Sequence, residues 1–115
     1  MAVACDFDML EIANIRVVGV DGTGPATMRL GLGTTSSDLL LDTVAFDGGQ
    51  RGIYTAGGFP VNGVTIRHSA FRAASAPASV LELWFVSSDL MVIGNYITGG
   101  RDGMNLSNGL GSPPL

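Results

Sequence analysis

Five polar or aromatic side chains have the types and spacing of a sugar-binding face. Arg29, Tyr54, Glu82 and Asn105 occupy the same place in four similar short segments, each flanked on both sides by inward-type residues. Trp84 lies two residues beyond Glu82, on the same side of an extended strand. Aromatic rings suit the apolar face of a sugar, and charged or amide groups suit its hydroxyl rim. The alternative is a solvated strand face with a partly buried tryptophan.

The composition argues against several other chemistries. The chain has no lysine, so Schiff-base and P-loop chemistry are excluded. Cys5 and His68 are the only cysteine and histidine and lie in different segments, which predicts neither a disulfide nor a metal site. A net charge of −4 without a basic run argues against nucleic acid. No apolar run approaches the ~18 residues of a membrane span, and no cofactor is expected.

An internal repeat shows which elements must position these residues. The segment Ser36–Gly58 aligns without a gap on Ser87–Gly109, 51 residues later, with eight identical positions. A looser copy, Val61–Ala73, lies between them, so the period is about 25 residues. Units of this size cannot bury an apolar face alone and must stack on their neighbours.

Aligning the units gives apolar columns for a stack of strands. The proposed anchor columns are Val20, Phe46, Phe71 and Ile97; Ile15, Leu41, Ile66 and Val92; and Ala13, Leu39, Val64 and Leu90. Inward pairs on a further strand are Met28/Leu30, Ile53/Thr55, Leu81/Leu83 and Met104/Leu106. The alternation has period two throughout. We therefore predict an all-β, parallel coil of about four turns over residues 10–111, with a lead-in (1–9) and a proline-containing tail (112–115).

Outward columns in the same alignment carry alternating charge. One contains Arg16, Asp42, Arg67 and Ile93; the other contains Asp21, Asp47, Arg72 and Thr98. We interpret both as ion pairs that fix strand register, each contributing ~0.2–1 kcal/mol. Asp21 and Asp47 would lie ~5 Å apart, which also suits paired carboxylates. Arg72, however, is placed to neutralise Asp47.

Two segments carry a family resemblance. VTIRHSAF (Val64–Phe71) and MVIGNYITGG (Met91–Gly100) resemble the repeat of right-handed parallel β-helix proteins of the pectate-lyase-like superfamily. The resemblance implies a right-handed solenoid that holds polysaccharide along the strand stack of Tyr54 and Glu82. It also implies an extracellular or virion-associated protein, such as part of a phage tailspike, although Asp6 and Asp8 make the start unlike a signal peptide.

The same resemblance supplies weak catalytic candidates. Asp102, in RDGMNLS, is similar to a catalytic aspartate of polygalacturonase-type hydrolases, whose G-H-G motif is absent here. Glu82 would lie roughly 11 Å from it, beyond the usual carboxylate separation. Part of a polysaccharide lyase, hydrolase or epimerase is thus the alternative to a recognition module. A third alternative is a structural oligomer, because open ends of a strand stack invite self-association or need a cap.

Overall fold

The fold is all-β. The computed structural model describes residues 3–4, 6–18, 27–55, 59–73, 79–84 and 86–107, and within them it has thirteen strands and no helix. The strands are β1 (Val3–Ala4), β2 (Leu10–Ala13), β3 (Arg16–Val18), β4 (Met28–Leu30), β5 (Ser36–Asp42), β6 (Ala45–Asp47), β7 (Ile53–Thr55), β8 (Val61–Arg67), β9 (Ala70–Ala73), β10 (Leu81–Trp84), β11 (Val86–Ile93), β12 (Tyr96–Gly99) and β13 (Met104–Ser107).

The strands form three parallel sheets that the chain visits in rotation. Sheet A has the order β1-β4-β7-β10-β13, sheet B has β11-β8-β5-β2, and sheet C has β12-β9-β6-β3. Each successive strand therefore belongs to the next sheet, and every third strand returns to pair with its predecessor. We call three consecutive strands, one from each sheet, a round. Parallel neighbours repeat at ~4.8 Å, so equivalent residues of successive rounds lie beside one another.

The register confirms the repeat from the second round onward. Phe46 pairs with Phe71, which pairs with Ile97. In sheet A, Ile53 and Met104 flank Leu81 on either side. The 51-residue repeat in the sequence is thus two rounds of strands. The inward columns predicted for the later rounds are present in sheets B and C; in sheet A, Leu83 pairs with Leu106, but the ladder between β7 and β10 ends before Thr55 and Leu83.

In sheets B and C the predicted phase of the first round is wrong by three residues, whereas in sheet A Met28 pairs with Ile53 as predicted. Val17 pairs with Phe46, whereas Val20, the predicted anchor, lies outside the described residues. Likewise Ile12 and Leu10 fill the columns assigned to Ile15 and Ala13. Eleven residues separate Val17 from Met28, but only seven separate Phe46 from Ile53. The longer first connection breaks the constant spacing on which the alignment relied.

A continuous core lies between the three sheets. Its buried members are Val17, Met28, Leu30, Leu39, Leu41, Val44, Phe46, Ile53, Val61, Val64, Ile66, Phe71, Val80, Leu81, Leu83 and Val86. Two aromatic rings are central to it: Phe46 and Phe71 meet edge to face with centroids 5.4 Å apart. This geometry is the preferred one for aromatic pairs, so the core also helps to hold the register of sheet C.

The corner between sheets B and C uses one left-handed residue in each round. These residues are Asn14, Thr43, His68 and Gly94, with φ between 50° and 65°. In the last two rounds the next residue, Ser69 or Asn95, hydrogen-bonds the backbone of the preceding round. The Ser69 hydroxyl accepts from the Val44 N–H at 3.1 Å. The Asn95 amide accepts from the Ser69 N–H and donates to the Ile66 carbonyl, at 2.9 and 2.8 Å. This corner therefore links successive rounds by side-chain hydrogen bonds as well as by strand pairing.

The outward charge columns are ion-paired, with one correction. Asp42 accepts from Arg67 at 2.9 Å, and Asp47 pairs with Arg72, as predicted. Arg16 was expected beside Asp42. Because β3 lies three residues away from the predicted alignment, Arg16 forms an ion pair with Asp47 instead. The partner predicted for Asp47, Asp21, lies outside the described residues. Among the described residues, Val18 is opposite Asp47.

Candidate functional site

The predicted sugar-binding column forms on the outer face of sheet A. Arg29 on β4 pairs in register with Tyr54 on β7, and Tyr54 pairs with Glu82 on β10. Glu82 in turn pairs with Asn105 on β13. The four side chains therefore come from four neighbouring strands at a spacing of ~4.8 Å. Regular alternation in each strand, with inward residues on both sides, is what places them together.

Glu82 is buried in this column. Its side chain is 6% exposed, and its Oε2 lies 3.1 Å from Nε of Arg51. A carboxylate removed from water needs a cation or donors nearby, and Arg51 supplies the cation. The outer face of sheet A at Glu82 is therefore not a solvated strand face.

Arg51 also packs on Tyr54. Its guanidinium carbon lies 4.7 Å from the centre of the Tyr54 ring, within the range of a cation–π contact. Sequence reasoning did not assign Arg51 to the site because it precedes β7 and does not alternate with the strand residues. The available signal was its position three residues before Tyr54, within reach of a long side chain.

Trp84 lies at the end of β10, where the strand still pairs with Ser107 of β13 but no longer with β7. Its backbone N–H donates to Oγ1 of Thr55 at 2.8 Å, and that hydroxyl is 3.3 Å from the Glu82 carbonyl, to which it donates. The buried Thr55 side chain thus bridges β7 and β10 where their ladder stops after Glu82. This bridge fixes the end of the strand that carries both Glu82 and Trp84.

Two buried donors on this face have no acceptor among the described residues. They are Nε1 of Trp84 and Nε of Arg29. A buried donor left without a partner costs about 1–3 kcal/mol.

Asp102 lies apart from the Glu82–Arg51 pair in its contacts. Its carboxylate accepts from Arg101 at 2.6 Å and from the Ser79 hydroxyl at 3.3 Å. The hydrogen bond from Arg101 lowers the pKa of Asp102, so the side chain stays ionised at neutral pH. An ionised carboxylate suits a base or a cation ligand and not a general acid. A catalytic role for Asp102 with Glu82 stays a prediction.

The described residues show neither a metal-type cluster nor a membrane-spanning helix. Among the residues that the structure describes, no three of His, Cys, Asp and Glu come together in a group that could hold a metal ion. In the same part of the chain, no helix has the length and apolar character needed to cross a membrane.

Comparison with known proteins gives no relative. No protein-family model, no curated protein and no solved structure matches this chain. Function must therefore be argued from the site itself.

Proposed function

We propose that this chain is a polysaccharide-recognition module whose glycan lies across the strands of sheet A. We further propose that its three-sheet rotation is a right-handed parallel β-helix, as the resemblance of its repeats to the pectate-lyase-like superfamily implies. In that setting the module would belong to a longer extracellular or virion-associated protein.

The observation that carries the proposal is the cluster around Glu82. Arg51 contacts both the Glu82 carboxylate and the Tyr54 ring, so an aromatic surface and fixed polar groups occupy one patch. Trp84 adds a second aromatic ring on the same strand as Glu82. Ordered aromatic and charged groups bind with little loss of side-chain entropy. Two rounds of strands span ~10 Å, close to the repeat of an extended disaccharide.

The charge of the patch indicates which glycans to test first. Arg29 and Arg51 contribute two positive charges and Glu82 one negative charge, whereas the whole chain has a net charge of −4. The patch is therefore locally positive in an acidic protein. We expect it to prefer acidic polysaccharides over neutral ones.

The proposal is tested by calorimetric binding to polygalacturonate, alginate and hyaluronan, with dextran and laminarin as neutral probes. Tyr54→Ala and Arg51→Ala should each weaken binding at least about tenfold, as expected for central contacts. Tyr96→Ala is the matched control, because Tyr96 is a 71% exposed tyrosine on another sheet. It should bind as the wild type does.

The possible outcomes separate the three functions. Equal loss of affinity for the glycan in the Tyr54 and Tyr96 variants would mean that the binding site does not lie on sheet A. Cleavage of any polysaccharide during the incubations, followed as new reducing ends or unsaturated products, would indicate an enzyme. No binding to any probe would contradict the recognition role and favour a structural one.

A further inference from the structure

The last strand of each sheet leaves apolar surface uncovered. We call β11, β12 and β13 the C-terminal edge. Its inward-facing residues Leu90, Val92, Ile97 and Leu106 are only partly buried. Their partners one strand earlier are Val64, Ile66, Phe71 and Leu83, all at most 1% exposed. The core therefore continues to this edge without being closed there by the described residues.

Outward residues extend the same apolar surface. Met91 and Ile93 on β11 are 55% and 54% exposed, and Tyr96 on β12 is 71% exposed. Within the described part of the chain, β11 pairs only with β8, so the backbone donors and acceptors along its other side have no strand partner. A long apolar edge strand of this kind is a template for pairing with another chain.

The opposite edge matches the C-terminal edge poorly, which argues against head-to-tail stacking: β2 has four residues to pair with the eight of β11. Val17, in the first strand of sheet C, is 1% exposed, although it occupies the outermost place in that column. Phe7 packs against the core, and its backbone bonds both Ser36 and Ser37. This edge is apolar as well, since Met9 and Val18 are 82% and 51% exposed, but it offers β11 a strand only half as long as a second copy of β11 does.

We propose that the C-terminal edge is a two-fold interface with a second copy of this chain. A two-fold interface needs only one type of edge, and it covers the apolar surface of both copies together. The whole molecule measures 29 × 28 × 26 Å, so an end face is of the order needed for the ~800 Å² per partner of a stable interface. The strand that sets this pairing, β11, belongs to sheet B and not to sheet A of the Glu82 cluster, so the proposal does not depend on glycan binding.

The alternation in β11 selects the register of that interface. Two copies of β11 that meet edge to edge about a two-fold axis are antiparallel. Pairing centred on Met91 brings Leu90 opposite Val92 of the other copy, so that inward residues meet inward residues. Met91 then faces its own counterpart, with the Cα atoms ~4.5–5.5 Å apart. That separation lies within the range of a disulfide.

Single-cysteine variants in one outward column test this arrangement. Glu11, Thr65 and Met91 lie in the same column, on the first, third and last strands of sheet B. In a Cys5→Ser background, oxidation of Met91→Cys should give a disulfide-linked dimer. Thr65→Cys, in the middle of the sheet, and Glu11→Cys, at the N-terminal edge, should stay monomeric on a denaturing gel.

Solution mass provides the second readout. Light scattering at about 50 μM should give twice the 11.8 kDa chain mass. Met91→Asp, which places like charges opposite each other, should weaken the dimer at least about tenfold. Each variant's fold is checked by circular dichroism. A monomeric wild type would overturn the proposal. Cross-linking that occurs only when Glu11→Cys and Met91→Cys are mixed would also overturn it, because it would indicate head-to-tail stacking.

Discussion

Phe71→Ala removes the ring at the centre of the core. Phe71 is 1% exposed, lies between Phe46 and Ile97 in sheet C, and meets the Phe46 ring edge to face at 5.4 Å. The ring is closely surrounded, since its Cδ1 would lie only 3.3 Å from a Cβ added at Gly52. The neighbouring strands are held by their ladders and can collapse little into the space left by the ring.

We therefore expect Phe71→Ala to lower the free energy of unfolding by ~3–5 kcal/mol, the usual range for a buried phenylalanine. This is a large part of the ~5–15 kcal/mol that a domain has in total. Urea denaturation followed by circular dichroism measures the change, and an unaltered slope shows that the same surface unfolds.

Two further variants make the test specific. Val18→Ala, on the first strand of the same sheet and 51% exposed, should cost less than ~1 kcal/mol. Phe71→Leu should recover most of the loss, because it restores most of the volume. A loss below ~1 kcal/mol in Phe71→Ala would refute the packing of Phe71 between neighbouring strands.

Three other predictions concern backbone geometry, the corner and pH. Gly31→Ala should lower the free energy of unfolding by ~2 kcal/mol or more, as measured by denaturation, because Gly31 has φ +65° and an added Cβ would lie 2.6 Å from the Phe59 carbonyl oxygen. Gly33→Ala is the control: the nearest atom to its added Cβ is 3.5 Å away, so stability should change by less than ~0.5 kcal/mol. Asn95→Ala should cost ~1–2 kcal/mol, since it removes one acceptor and one donor that link two rounds, and a neutral result would mean that water replaces both. Acid should destabilise the fold: Arg67 lowers the pKa of Asp42, and Arg16 and Arg72 lower that of Asp47, below their ordinary 3.8. The stability from these pairs is complete above that value and is lost as pH falls through the lower folded pKa values. Asp47→Asn should make the free energy of unfolding depend less steeply on pH, and an unchanged pH dependence in this variant would contradict the role of the Asp47 ion pairs.

The sheet A column was predictable because strand alternation fixes direction. Inward residues such as Leu81 and Leu83 enclose one outward residue, so Glu82 had to face away from the core. Alternation does not predict whether other side chains bury that outward residue. The burial of Glu82 depends on where the long Arg51 side chain lies, and no sequence period specifies that.

The first round was mispredicted for a different reason. Repeat spacing is constant only while the connections between strands have equal length, and connections vary far more than strands do. The segment between Val17 and Met28 is longer than its counterparts, so Val20 was aligned in place of Val17. The later rounds kept their predicted phase because the longer connection before Leu81 is nearly offset by a shorter one from Leu81 to Leu90.

Fluorescence of Trp84 tests the central claim most directly. Trp84 is the one tryptophan of the chain, so its emission reports on sheet A alone. We predict that titration with the polysaccharide that binds best by calorimetry changes this emission saturably, with the same midpoint, and that Arg51→Ala shifts that midpoint at least about tenfold. Calorimetric binding with unchanged Trp84 emission would place the glycan elsewhere and contradict the proposed site.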